Sequence, residues 1–151
     1  MEEEKKVQTE QEPCDRICLE MDGVSRNEEF ARVVTAVFMS RMNPTLEEMD
    51  DVKTAVSEAV TNAIIHGYGR QRGVVYIEAV ISGQELTVVI RDKGVGIRNL
   101  EKAMEPMYTS DVTGERSGMG FSFMEAFMDE LEVESQPGEG TTVRMKKRIG
   151  G

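Results

Sequence analysis

The spacing of apolar positions changes period several times along the chain, and each change marks an element. Ile17, Leu19 and Met21 alternate with Cys18 and Glu20, the period-2 pattern of a short half-buried strand. Phe30, Val33, Val34, Val37 and Phe38 then recur at helical spacing and fall on one face. That helix opens on a capping-box pattern, Ser25-Arg-Asn-Glu28, and stops at Asn43-Pro44. Thr45-Leu-Glu-Glu48 repeats the capping pattern, and the helix it starts should run to His66 with Gly67 just past its end. Its core stripe is Val52, Val56, Ala59, Val60, Ala63 and Ile64. After Gly67, Gly69 and Gly73 the period returns to two. Residues 74–81 and 86–91 predict a hairpin joined by Ser82-Gly83-Gln84. Residues 98–117 have weak periodicity, and loops of that length inside a compact domain are usually functional lids or disordered. A short apolar helix over 121–128, a strand over 131–135, a Pro137-Gly138 turn and a strand over 141–148 close the chain. The sum predicts an α/β (α+β) two-layer sandwich, with a mostly antiparallel sheet and helices on one face.

Composition narrows the function classes. The 151 residues suit one domain, with 39 % hydrophobic and 30 % charged residues, enough for a core without disulfides. Residues 1–12 carry five Glu and two Lys and no aromatic side chain, so the expected organisation is a disordered arm over 1–15 and a single domain over 16–151. Lys and Arg number 18 against 28 Asp and Glu, a net charge of −10 that repels nucleic acid. A role in transcription would therefore run through a protein partner. Cys14 and Cys18 with a single His cannot close a zinc site, and they suit a reduced, cytoplasmic setting. No apolar run reaches the length of a membrane span or signal core, so no membrane role is expected.

Four features carry candidate chemistry. Glu58 is the sole charged residue between Lys53 and His66, and Asn62 lies one turn further along the same face. Alone, the pair reads equally as a carboxylate and an amide on the wet side of a helix. Lining a polar cavity, Asn62 could help hold Mg²⁺ and Glu58 could take a proton. Asp92-Lys-Gly-Val-Gly96 follows a strand directly; its glycines allow close approach of backbone, and its carboxylate can accept from an amine-bearing base. It also fits an ordinary tight turn. Arg116-Ser-Gly-Met-Gly120 stands at a helix start, where free N–H groups suit phosphate, although Ser117 could simply be an N-cap. Gly140-Thr141-Thr142 begins the last strand and by itself means only a turn.

The order of these features is more specific than any one of them. Taken together they resemble the GHKL (Bergerat-fold) ATP-binding family, and the match spans residues 17–149. The resemblance implies ATP/ADP and Mg²⁺ as cofactors. It places Mg²⁺ on Asn62, the adenine amino group on Asp92, the base beside Gly94 and Gly96, the phosphates at Arg116, Ser117, Gly118 and Gly120, and Thr141 in the adenine pocket. Within that family, the chain length leaves no room for the further domains of gyrase-like or chaperone members. The sole His, His66, ends the nucleotide-site helix itself, which does not suit a phosphoacceptor.

What remains is the branch of small anti-sigma-factor serine kinases. Asn27-Glu-Glu-Phe-Ala-Arg-Val33, Ser57-Glu-Ala-Val-Thr-Asn-Ala-Ile-Ile-His-Gly-Tyr68 and Glu115-Arg-Ser-Gly-Met-Gly-Phe121 are similar to its sporulation members. That resemblance implies a homodimer that holds a sporulation sigma factor away from RNA polymerase and phosphorylates a serine on an anti-anti-sigma partner. Glu58 would be the base, Arg116 would meet the terminal phosphates, and Arg32 would lie on the surface shared by both partners. The chain departs from the pattern in a longer N-terminal arm and in Tyr108-Thr-Ser110 within the lid, where the family has Phe-Thr-Thr. A stress-response kinase of the same branch, or a non-catalytic nucleotide-gated binding module, fits the same residues.

Overall fold

In a computed structural model, residues 14–69, 71–105 and 120–150 are described. Five strands form one sheet in the order β1-β2-β3-β5-β4, with every neighbouring pair antiparallel. The strands are β1 (Cys14–Asp22), β2 (Val74–Ser82), β3 (Glu85–Asp92), β4 (Glu130–Gln136) and β5 (Gly140–Arg148). Helices α1 (Ser25–Met39), α2 (Leu46–Asn62) and α4 (Gly120–Phe127) form the second layer, and a short α3 (Leu100–Ala103) precedes residues 106–119. The expected α+β sandwich is thus observed. It forms because each strand alternates: Val75, Ile77, Ala79 and Ile81 on β2 and Leu86, Val88 and Ile90 on β3 are buried under the helices. No helix among the described residues is long and apolar enough to cross a membrane.

The long helix α2 sits at the centre of that layer, with α1 on one flank and α4 on the other. Its predicted stripe is buried in full, from Val52 to Ile64. The predicted capping box is formed: Glu48 N–H donates to Thr45 Oγ1 at 3.0 Å and Thr45 N–H donates to Glu48 Oε1 at 2.9 Å. The bond from the Thr45 N–H, with a further one from the Gly150 N–H, holds the Glu48 carboxyl below its usual range.

Two readings of α1 are corrected. Ser25 makes no capping box; Val24 is the N-cap residue without a side-chain bond, and the chain is turned instead by Asn27 Nδ2 donating to the Asp22 carbonyl at 2.7 Å. Glu28, expected to bond back to the helix start, is drawn across to Ser57 on α2. The apolar face is also not the core face. Phe30, Val33 and Val37 are 53 %, 51 % and 65 % exposed, while Ala31, Thr35, Phe38 and Met39 make the contact with the core. Thr35 tolerates burial because its hydroxyl donates to the Ala31 carbonyl at 2.9 Å.

Candidate functional site

The end of α2 does not stop cleanly at a glycine. Beyond Asn62 the helix widens into a π turn, Ala63–Gly67, closed by Tyr68 N–H donating to the Ala63 carbonyl at 3.0 Å. Such widened turns release backbone groups from the regular ladder and are frequent at functional sites. Here the turn delivers Gly67 onto the end of β3. The Gly67 carbonyl accepts from the Val95 N–H at 2.9 Å, and a Cβ on Gly67 would lie 2.8 Å from the Asp92 carboxyl.

Asp92 is the chemical centre of this junction. It is 5 % exposed at the last position of β3, opposite Thr141 on β5, which is equally buried. The Gly94 N–H donates to Asp92 Oδ1 at 2.8 Å, and a second backbone bond comes from Thr141. Burial outweighs those bonds and pushes the carboxyl up to about 6. An acidic group held this far from water, with acceptor capacity left over, is suited to a polar ligand that donates.

Main chain surrounds it. A Cβ on Gly94 would come within 1.9 Å of the Gly67 carbonyl oxygen, and one on Gly140 (φ 83°) within 2.1 Å of the Asp92 carbonyl oxygen. Gly96 (φ 75°) abuts the Gln136 carbonyl oxygen at 2.0 Å on the same criterion. The glycines at 94 and 96 therefore do a job the sequence did not reveal: they let the α2 end and the β4–β5 turn close onto the β3 exit.

Two side chains missed by the sequence reading tie the junction together. The Tyr68 hydroxyl donates to the Val74 carbonyl at 2.6 Å and accepts from the Lys93 N–H at 2.7 Å, linking the π turn, β2 and the β3 exit. The Ser135 hydroxyl donates to the Gly140 carbonyl at 2.9 Å, accepts from the Ile97 N–H at 2.8 Å and stands 2.8 Å from Thr141 Oγ1. A Tyr after His-Gly and a Ser inside an alternating strand carry no signal by themselves. Only the cross-strand pairing of Ser135 with Thr141 makes the second one visible.

The structure thus brings Asp92, Gly94, Gly96 and Thr141 into one junction, with Asn62 at the head of the π turn that joins it. Glu58 is half-buried one helical turn before Asn62. Gly120 opens α4, whose Phe121 and Met124 are buried in the core beside α2. Arg116, Ser117, Gly118 and the lid's Tyr108-Thr-Ser110 lie outside the described residues. Among the described residues no cluster of three or more His, Cys, Asp or Glu side chains could hold a metal, so a cation here needs oxygens from a ligand beside the Asn62 carboxamide.

Arg32 is separate from this junction. It lies at the α1–α2 seam, its Nε 3.0 Å from Glu28 Oε1, and Glu28 in turn accepts from the Ser57 hydroxyl. That Nε is buried and makes no well-aligned hydrogen bond. Arg32, Glu28 and Ser57 thus form a short polar chain that ends one residue before Glu58 in sequence.

Comparison with known proteins agrees with this fold. The family model for a histidine kinase-like ATPase domain matches residues 24–147. The chain is 63 % identical over 125 residues to an anti-sigma F factor of Clostridium acetobutylicum, covering 83 % of this chain and 87 % of that protein. It is 57 % identical over 126 residues to the anti-sigma F factor of Thermoanaerobacter sp. (strain X514), covering 83 % and 88 %. Among solved structures, the RsbU and RsbW domains of Rv1364c from Mycobacterium tuberculosis superpose with a TM-score of 0.65 at 19 % identity, over 89 % of this chain and 32 % of that one. The catalytic domain of the histidine kinase ThkA superposes with a TM-score of 0.54 at 16 % identity, over 88 % and 96 %. These two likenesses speak to the fold.

Proposed function

Because this chain belongs to the histidine kinase-like ATPase family and, within it, to the anti-sigma F factors, we propose that it is a cytoplasmic, homodimeric anti-sigma factor and serine kinase. It holds a sporulation sigma factor away from RNA polymerase, and it transfers phosphate from ATP to a serine of an anti-anti-sigma partner. The observation that carries the nucleotide site is the buried Asp92 on its main-chain floor, with acceptor capacity for the adenine amino group. Thr141 walls the base, and the Arg116-Ser-Gly-Met-Gly120 segment receives the phosphates. The Asn62 carboxamide holds Mg²⁺, which when bound neutralises charge on the phosphate oxygens.

In the transfer step the serine Oγ bonds to the γ-phosphorus as the bond from that phosphorus to the β,γ-bridging oxygen breaks, leaving ADP. The serine proton passes to the Glu58 carboxylate. Most of the acceleration in such a transfer is positioning and charge stabilisation, so the base is separable from nucleotide binding. Arg32 lies on the surface that meets both protein partners. Its side chain is 35 % exposed, which supports that placement by leaving part of it within reach of a partner.

The deciding experiment is Glu58→Gln, which keeps size but cannot take the proton. ATP affinity and sigma capture are expected to persist, and serine phosphorylation should fall roughly 10²–10⁴-fold. Unchanged phosphorylation refutes the catalytic assignment. Lost ATP affinity would make Glu58 part of the cation site. A variant and wild type that both fail to transfer phosphate, yet bind nucleotide, would make the chain a nucleotide-gated binder.

A further inference from the structure

Asp92, Thr141 and Ser135 stand in one row across the sheet. Asp92 faces Thr141 where β3 meets β5, and Thr141 faces Ser135 where β5 meets β4. Facing residues of antiparallel strands put their side chains on the same side of the sheet, with Cα atoms about 4.5–5.5 Å apart. The row joins the buried carboxylate to a hydroxyl two strands away.

The hydrogens along this row can be counted. A serine hydroxyl has one proton and two lone pairs. Ser135 meets three partners: the Gly140 carbonyl at 2.9 Å, the Ile97 N–H at 2.8 Å and Thr141 Oγ1 at 2.8 Å. The carbonyl can only accept, so it takes the Ser135 proton; the amide can only donate, so it fills one lone pair. The second lone pair faces Thr141 at a distance that needs a proton between the two oxygens, and the one left is Thr141's own. Ser135 is held in place while it does this. Ile97 ends the turn that follows Asp92, and the Gly138 N–H clamps that turn to the β4–β5 turn by donating to the Val95 carbonyl at 2.6 Å. Thr141 therefore spends its proton on Ser135 and keeps only lone pairs.

Beside it, Asp92 accepts from the Gly94 N–H at 2.8 Å and from the Thr141 backbone, and as a carboxylate it too has lone pairs to spare. Both residues are 5 % exposed. Two neighbouring acceptors with no hydrogen to offer match a group that brings two hydrogens. The exocyclic amine at position 6 of adenine does so. A carbonyl at position 6, as in hypoxanthine or guanine, brings only lone pairs, and in a site this dry solvent does not relieve the repulsion. We infer that Ser135 is a positioning residue for base selection: by taking the Thr141 proton it keeps Thr141 an acceptor, so the wall beside Asp92 admits 6-amino purines and rejects 6-oxo purines. This rests on the adenine site in the reading above and names the residue that sets its polarity.

The test compares ADP with inosine diphosphate, its 6-oxo counterpart, by calorimetry on the full-length protein with Mg²⁺ at pH 7.5, where Asp92 is ionised. Wild type should prefer ADP. Ser135→Ala frees the Thr141 hydroxyl to turn and donate to an oxo group, so the ratio of ADP to inosine diphosphate affinity should fall roughly 10-fold. Ser135→Thr keeps a hydroxyl on a residue that favours strands and should hold the ratio. Because Ser135 acts through Thr141, adding Ser135→Ala to Thr141→Val should leave the ratio of the Thr141→Val protein unmoved. Losing the ties to Ile97 and Gly140 also loosens the junction, but that weakens both nucleotides alike and cancels in the ratio. If Ser135→Ala fails to fold by circular dichroism, Ser135→Cys, whose sulfur is a poorer acceptor, should lower the same ratio. Equal losses for the two nucleotides in the Ser135 variant, or a wild type indifferent to position 6, would overturn this role and leave a nucleotide site standing. A wild type that binds neither nucleotide would overturn the site as well.

Discussion

Asp92→Asn should make the free protein more stable and its nucleotide complex weaker. Burial raises the Asp92 carboxyl from 3.8 to about 6, a difference of about two pH units, or about 3 kcal/mol. The sign follows from linkage. A carboxyl raised on folding contributes stability that is fully present below its unfolded value near 3.8 and is lost as pH rises through about 6. At pH 7.5 the wild-type protein therefore carries nearly the whole 3 kcal/mol as a penalty, which asparagine does not incur. Asparagine offers one acceptor where two backbone N–H groups, of Gly94 and Thr141, now point. Leaving one facing an NH₂ group costs about 1–2 kcal/mol, so the net gain is about 1–2 kcal/mol. Thermal unfolding by circular dichroism at pH 7.5 should show a rise of about 2–8 °C for the variant, vanishing or reversing at pH 4.5. Calorimetry at pH 7.5 should show ADP affinity lower by about 10–100-fold, the loss of one charge-assisted hydrogen bond to the adenine amine. In wild type the same affinity should decline as pH drops through about 6, where the carboxyl gains its proton. A variant that is less stable at pH 7.5 yet binds ADP normally would refute both the burial argument and the adenine contact.

Three further outcomes follow from the same geometry. Gly94→Ala places a Cβ within 1.9 Å of the Gly67 carbonyl oxygen, main chain against main chain, and should cost about 2–4 kcal/mol in urea unfolding as well as nucleotide affinity. Tyr68→Phe keeps the ring but strands the Val74 carbonyl and the Lys93 N–H, an expected loss of about 1–2 kcal/mol read from the urea midpoint. Arg32→Ala should weaken sigma capture and partner phosphorylation together in pull-down and kinase assays, and leave ADP affinity by calorimetry unchanged, since Arg32 lies at the α1–α2 seam.

Most of the scaffold was legible because its signals are local. The α2 stripe, the Thr45 capping box and the β2–β3 hairpin depend on period and turn chemistry, which neighbouring residues carry in full. Helix α1 shows where that legibility ends. Periodicity finds an apolar stripe but not what covers it, so Phe30, Val33 and Val37 read as core although they face outward, and buried Thr35 was hidden by its hydroxyl. Ser25 fails as a cap for a related reason: the Glu28 needed for the reciprocal bond has a better partner in Ser57, 29 residues away in a different helix. At the site, Asp92 and Gly94 stand out beside a strand end, whereas Tyr68 and Ser135 acquire meaning only once the π turn and the β4–β5 register bring distant segments together. The π turn itself has no sequence signature here, since Ala63-Ile-Ile-His-Gly67 would serve equally as an ordinary last helical turn.

The floor around Asp92 sets a limit on how the pocket can be redesigned. At Gly67, Gly94, Gly96 and Gly140 three stretches of chain meet through bare backbone, so there is no side chain to trim or enlarge. Its contour is a property of the fold, unavailable to point substitution. An engineer wanting the protein to accept an enlarged, orthogonal nucleotide could not carve space beneath the base. The adjustable positions are the hydroxyls along one wall, Ser135 and Thr141, which touch each other and which smaller or larger residues could replace in concert. A paired library at those two positions, selected with bulky ATP analogues, is the natural place to begin.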